Sequence, residues 1–131
     1  MKKFSSKYLN ETNKLKYAYV GFEFEFYSKG DIPYYKLLEK LNNTFREYGI
    51  TVQGIRKYHP TTKPTEKNFI LTPDNSGGMS MVELITGKLN YVYARSILLK
   101  CLKFIQEYGY TNDRSSIHIN LSFNEEYQKK L

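Results

Sequence analysis

Residues 20–26 read Val-Gly-Phe-Glu-Phe-Glu-Phe, three phenylalanines and two glutamates in strict alternation. A period of two marks a strand with one dry and one wet face. Phe22, Phe24 and Phe26 are expected in a core, with Gly21, Glu23 and Glu25 on the other face. Along one strand the two carboxylates stand about 6.6 Å apart, and like charges so placed repel unless something positive sits between them. Taken alone, this pattern is more often a solvated outer face than a site. The sharper alternative is a metal site, and it depends on what later strands bring to the same face.

The rest of the chain can be placed around this strand, which is expected from Tyr17 or Ala18 to Tyr27 and ends in the turn formers Ser28-Lys29-Gly30-Asp31. Pro33 suits an early helix position, and Tyr34, Leu37, Leu38, Leu41 and Phe45 recur as one helical stripe that Gly49 stops. Residues 50–55 read as a moderate strand, and residues 58–65, with two prolines and three threonines, as an exposed loop. Asn68–Thr72 reads as a strand, residues 73–78 as a turn, and Met79–Thr86 as a strand whose Glu83 lies among the apolar Met81 and Ile85. A carboxylate in that company needs a partner. Gly87 breaks the strand. Tyr91–Tyr108 is a strong helix, with Ala94, Ile97, Leu98, Cys101, Leu102 and Ile105 on the expected buried side and Gly109 closing it. After a polar turn at 110–115, Ser116–Phe123 alternates again: Ile117, Ile119, Leu121 and Phe123 inward, Ser116, His118, Asn120 and Ser122 outward.

This order predicts an α+β fold, a mainly antiparallel sheet with two helices on one face, with a ferredoxin-like two-layer sandwich as the rival arrangement. Residues 1–16 read as a polar basic arm, 17–123 as a single domain, and 124–131 as a short helical start or tail. With 131 residues, 40% of them hydrophobic, the chain has enough for one core and no need of a second. Twenty basic against 13 acidic side chains give a formal charge of +7, but the lysines are scattered. A general pull on polyanions is expected, without a dedicated nucleic-acid surface. A single cysteine rules out a disulfide within the chain, and Cys101 falls in an apolar run where a buried thiol is the default. No stretch is apolar enough for a signal peptide core or a membrane span, so a cytoplasmic location and no membrane partner are expected.

Glu23 and Glu25, then Glu83, then His118 are three carboxylates and an imidazole carried on three strands. Oxygen-rich donors suit Mg²⁺, and one histidine moves the preference toward Mn²⁺. No nucleophile constellation or glycine-lysine phosphate loop accompanies them.

The succession Gly21-Phe22-Glu23-Phe24-Glu25-Phe26, Asp74-Asn75-Ser76, Met81-Val82-Glu83-Leu84-Ile85-Thr86, a helix, and Ser116-Ile117-His118-Ile119-Asn120-Leu121 resembles the amidoligase family. Its members are carboxylate-amine ligases related to glutamine synthetase and glutamate-cysteine ligase. The family pattern is a G-x-E-x-E strand, a D-G-S turn, a V-E-L-[VI]-[ST]-P strand and a G-x-H-V-H strand, and it covers residues 18–123 here. The resemblance implies a glutamine-synthetase-like catalytic sheet, with Glu23, Glu25, Glu83 and His118 holding Mg²⁺ or Mn²⁺ and serving catalysis. It implies substrate or phosphate contacts at Asp74, Ser76 and Asn120, while in this chain Arg114, just before the last strand, and Lys88 are the local candidates for holding phosphate. The reaction implied uses ATP as co-substrate: a carboxylate becomes an acyl phosphate, which an amine converts to an amide or peptide bond. Asn75, Gly87, Ser116 and Asn120 depart from the pattern, and Asn120 alters the site by replacing its second histidine. Family members continue past the histidine strand, so further sequence, a second chain or a homo-oligomer is expected to complete the site. The alternative is a non-catalytic structural or interaction protein built on the same sheet.

Overall fold

The computed structural model describes residues 18–30, 32–56, 62–73 and 81–123. The expected basic arm, Tyr17, Asp31, the loop centre at 57–61, the 74–80 turn and the 124–131 tail lie outside the described residues.

The alternating segment forms β1 (Ala18–Ser28), and its three phenylalanines are at most 3% exposed. The expected helical stripe forms α1 (Tyr34–Phe45), which buries Leu37, Leu41 and Phe45 and runs through a 3₁₀ turn to Gly49. Next come β2 (Thr51–Gly54), β3 (Asn68–Pro73), β4 (Met81–Ile85) and the two-residue β5 (Leu89–Asn90). The long helix is α2 (Tyr91–Tyr108), started by the Asn90 side chain, which accepts from the Val92 N–H at 3.0 Å. A two-residue β6 (Gly109–Tyr110) and then β7 (Ser116–Phe123) complete the described residues.

β1 lies in the middle of the sheet. β4 and β5 run antiparallel along one side of it, and β6 and β7 run antiparallel along the other. β3 pairs antiparallel with β4, and β2 pairs parallel with β3. The fold is therefore α+β, and the described residues alone make five lines of strand, where a four-stranded ferredoxin-like sandwich has four. The residues of Tyr110 expected in a turn instead add a short rung to β1, with the Tyr27 and Tyr110 rings stacked at 5.1 Å.

Both helices pack on the phenylalanine face, where Phe24, Phe26, Phe45, Phe69, Leu37, Leu41, Leu84 and Ile97 are at most 1% exposed. Each such side chain contributes roughly 1.5–3 kcal/mol by leaving water. The buried stripe of α2 is Ala94, Ile97, Cys101, Phe104 and Ile105, so Phe104 takes the place expected for Leu102, which is 40% exposed. The large ring of Phe104 stands edge-on to Phe26 at 6.5 Å. Burial pushes the Cys101 thiol well above its ordinary range, as suits a packing residue.

Two local devices shape the sheet. Opposite Gly21, the β4–β5 line carries one residue more than β1, because Glu23 pairs with Ile85 but Val20 with Leu89. This is a bulge, and the strand expected to break at Gly87 resumes beyond it. Thr86 holds the bulge: its N–H donates to the Phe22 carbonyl and its hydroxyl accepts from the Phe22 N–H, both at 2.9 Å. Gly87 is required by proximity, since a Cβ there would lie 2.3 Å from the Thr65 carbonyl carbon. The second device is Asn42 on α1. Its amide accepts from the Val52 N–H at 2.8 Å and donates to the Val52 carbonyl at 2.9 Å, so it occupies the outer edge of β2.

β7 differs from expectation in one respect. Its register sets Leu121, Ile119 and Ile117 beside Val20, Phe22 and Phe24, on the helix side of the sheet. Yet Ile117 is 46% exposed, and Ile119 and Leu121 are each 62% exposed. α2 covers β1 and stops short of β7, so facing the core side does not bury these residues.

Candidate functional site

The face of β1 turned away from the helices carries Glu23 and Glu25. β4 and β7 are the neighbours of β1 on either side, and this topology brings the later donors to them. Glu25 is directly opposite Glu83 on β4 and Ser116 on β7, while Glu23 is directly opposite Ile85 and His118. Directly opposed residues in such a sheet have Cβ atoms about 4.5–5.5 Å apart. The four expected metal-site residues thus occupy adjoining positions on three neighbouring strands.

The face is part dry. Ile70 and Met81 are at most 1% exposed, Tyr27 is buried, and Glu23, Glu25 and Glu83 are all half-buried. Thr72, only 2% exposed, stands opposite Glu83 on β3. Two ranks of side chains result. One runs Ile70, Ile85, Glu23, His118, and the other Thr72, Glu83, Glu25, Ser116. His118 Nδ1 lies 3.4 Å from Glu23 Oε2, within ion-pair distance for a protonated imidazole.

The donor types on this face, carboxylates with one imidazole, are those that Mg²⁺ and Mn²⁺ take. Among the described residues, however, no three or more His, Cys, Asp or Glu side chains are gathered tightly enough to hold a metal ion. The fit to a cation is one of donor chemistry and strand register, not of side-chain placement.

The remaining expected contacts are spread along the face. Asn120 stands opposite Gly21, one position on the same face beyond His118. Arg114 is exposed in the turn before Ser116, with its N–H donating to the Asn112 side chain at 2.8 Å, and so belongs to the Glu25 end. Lys88 is exposed at the bulge, toward the other end. Asp74 and Ser76 lie outside the described residues; the anchors of that segment, Pro73 and Met81, are at the Glu25 end. Two residues of the face were not anticipated. Ser116 has the outward parity of its strand, but its place beside Glu25 follows only from the register. Thr72 could have been found from its parity with Ile70 on a strand that was itself expected.

Among the described residues no helix is long and apolar enough to cross a membrane. Comparison with protein-family models, with curated proteins and with solved structures found no match.

Proposed function

We propose that this domain binds a divalent cation and ATP on the sheet face that carries Glu23 and Glu25, as part of a carboxylate-amine ligase of the amidoligase kind working in the cytoplasm. The observation that carries this reading is the direct opposition of Glu25 and Glu83, flanked by Glu23 and His118. Carboxylates gathered with one imidazole are the donor types that divalent cations of this kind take. Glu23, Glu25, Glu83 and His118 would hold Mg²⁺ or Mn²⁺. When bound, the metal would neutralise charge on the transferring phosphoryl group.

In the proposed reaction the γ-phosphoryl group of ATP passes to a carboxylate oxygen, releasing ADP. An amine nitrogen then attacks the acyl carbon, and phosphate leaves as the amide forms. The chain's own part is to orient. Glu23 and Glu25 are fixed by a strand with a fully packed opposite face, and Arg114 and Asn120 offer donors near its two ends. Further protein, from more sequence, a second chain or another copy, would complete the substrate pocket.

Titration calorimetry with Mn²⁺ and Mg²⁺, with and without ATP, tests this reading. The expected result is cation binding that ATP strengthens and that Glu23→Ala and Glu83→Ala each weaken at least about tenfold, a loss of some 1.4 kcal/mol. Absence of binding, or binding that both variants retain, would refute it. The non-catalytic alternative, a structural or interaction protein, would then stand on the exposed apolar residues of β7.

A further inference from the structure

We infer that β7 is a docking edge for a second copy of this chain, the two strands pairing antiparallel across a two-fold axis to continue the sheet. Among the described residues β7 is the outermost strand on its side, and none of them pairs as a strand with its outer edge from Ser116 to Ser122. An eight-residue edge of this kind is a template for another strand, and proteins usually blunt it with charge, proline, a bulge or a covering group. The opposite edge is blunted: β2 has four residues, and Asn42 occupies the Val52 N–H and carbonyl. Among the described residues β7 shows none of these devices. A quarter of the chain is charged, yet Ser116–Phe123 contains no Lys, Arg, Asp, Glu or Pro.

Its side chains add to the case. Ile117, Ile119 and Leu121 form a continuous stripe on the helix side, exposed by 46%, 62% and 62%. A groove of about 370 Å³ runs beside it, walled by Leu102 and Ile105 of α2 and floored by Phe24 and Ile117. Leu99 of α2 is also 56% exposed. Scattered surface leucines mean little, but a stripe joined to an open strand edge marks an interaction surface.

The occupant follows from the strand's own pattern. In antiparallel self-pairing about Ile119, Ile117 faces Leu121 and Ile119 faces its counterpart on the helix side. On the other side His118 faces Asn120 and Ser116 faces Ser122. Apolar meets apolar, and no two formal charges of one sign are opposed, so the edge is complementary to itself. The lysines and arginines that give each copy +7 lie outside the strand. They repel a second copy at long range, so the association should strengthen as salt screens them.

Sedimentation equilibrium of the full chain between about 5 and 500 µM, at low and high salt, tests the inference, because a small interface shows itself by mass action. The expected result is a doubling of mass with concentration, favoured by salt, together with slower amide exchange of 116–122 at the higher concentrations. Ile119→Lys and Leu121→Lys, at exposed positions that spare the core, should stay monomeric while keeping the unfolding midpoint that the wild type shows at its lowest concentration. A wild-type monomer at every concentration would overturn the inference, including one whose β7 is covered by residues 1–17 or 124–131. A dimer that both lysine variants retain, or one that salt dissolves, would overturn it equally.

Discussion

Replacing Thr86 with valine keeps the shape of the side chain and removes its oxygen. That oxygen accepts from the Phe22 N–H at 2.9 Å and donates to the Gly87 carbonyl at 2.9 Å, and both Thr86 and Phe22 are at most 5% exposed. The bulge withdraws the strand partner that would otherwise serve Phe22. In the valine variant this N–H is left buried without an acceptor, at a cost of about 1–3 kcal/mol. Serine keeps the oxygen and loses one buried methyl group, costing about 1 kcal/mol. Valine should therefore be the more damaging substitution by about 1 kcal/mol, against the strand preference that favours it. For a domain of this size each kcal/mol shifts the unfolding midpoint by about 3–5 °C. Urea unfolding followed by circular dichroism measures both variants, and hydrogen exchange at the Phe22 amide should accelerate only in Thr86→Val. If Thr86→Val proves as stable as Thr86→Ser, the hydroxyl does not hold the bulge and the reasoning fails.

Other expectations can be checked with the same assays. Asn42→Ala strips both partners from the outer edge of β2, and should cost about 1–3 kcal/mol and increase light scattering on heating as a second edge opens. Tyr34→Phe removes the phenol that donates to the Leu71 carbonyl at 2.5 Å, but that carbonyl still accepts from the Ile55 N–H at 2.9 Å. The loss should be small, about 0.5–1 kcal/mol in urea unfolding. Burial raises the Tyr34 phenol above its ordinary 10.0. The unfolded chain therefore ionises first, and this part of the stability is complete below pH 10 and lost as the pH climbs toward the folded value. Tyr34→Phe should flatten that decline, and an unchanged slope in alkaline urea titrations would exclude Tyr34 as its source. Cation binding at Glu23 and Glu83 and self-association through Ile119 complete the set.

Much of this architecture can be read from spacing. β1, α2 and β7 occupy the expected residues because alternation and a helical stripe are strong where aromatic and branched residues carry them. The parity of Glu23, Glu25, Glu83 and His118 was equally legible. Their adjacency was not, since it depends on β4 and β7 flanking β1, and pairing partners leave no trace in a period of two. The same limit explains the bulge: Gly87 reads as a break, and only the two registers on either side of it reveal one extra residue. Leu102 and Phe104 exchanged roles because a stripe drawn on a helix does not say how the helix is turned. For Ile117, Ile119 and Leu121 the inward side was right. What alternation lacks is any statement of how far the helix layer extends.

The central position of β1 has a consequence for how the chain reaches this state. Its two neighbours are supplied by residues 81–90 and 109–123, and Ala18 meets Phe123 while Glu25 meets Ser116. The strand that carries the three phenylalanines is thus made early and completed late, its ladder waiting for distant sequence. Contacts so far apart give folding on the slow side, in the millisecond-to-second range, limited by closing long loops. During synthesis Phe22, Phe24 and Phe26 emerge well before the strands that pair with them, a period in which a chaperone holding an extended apolar segment would find its substrate here.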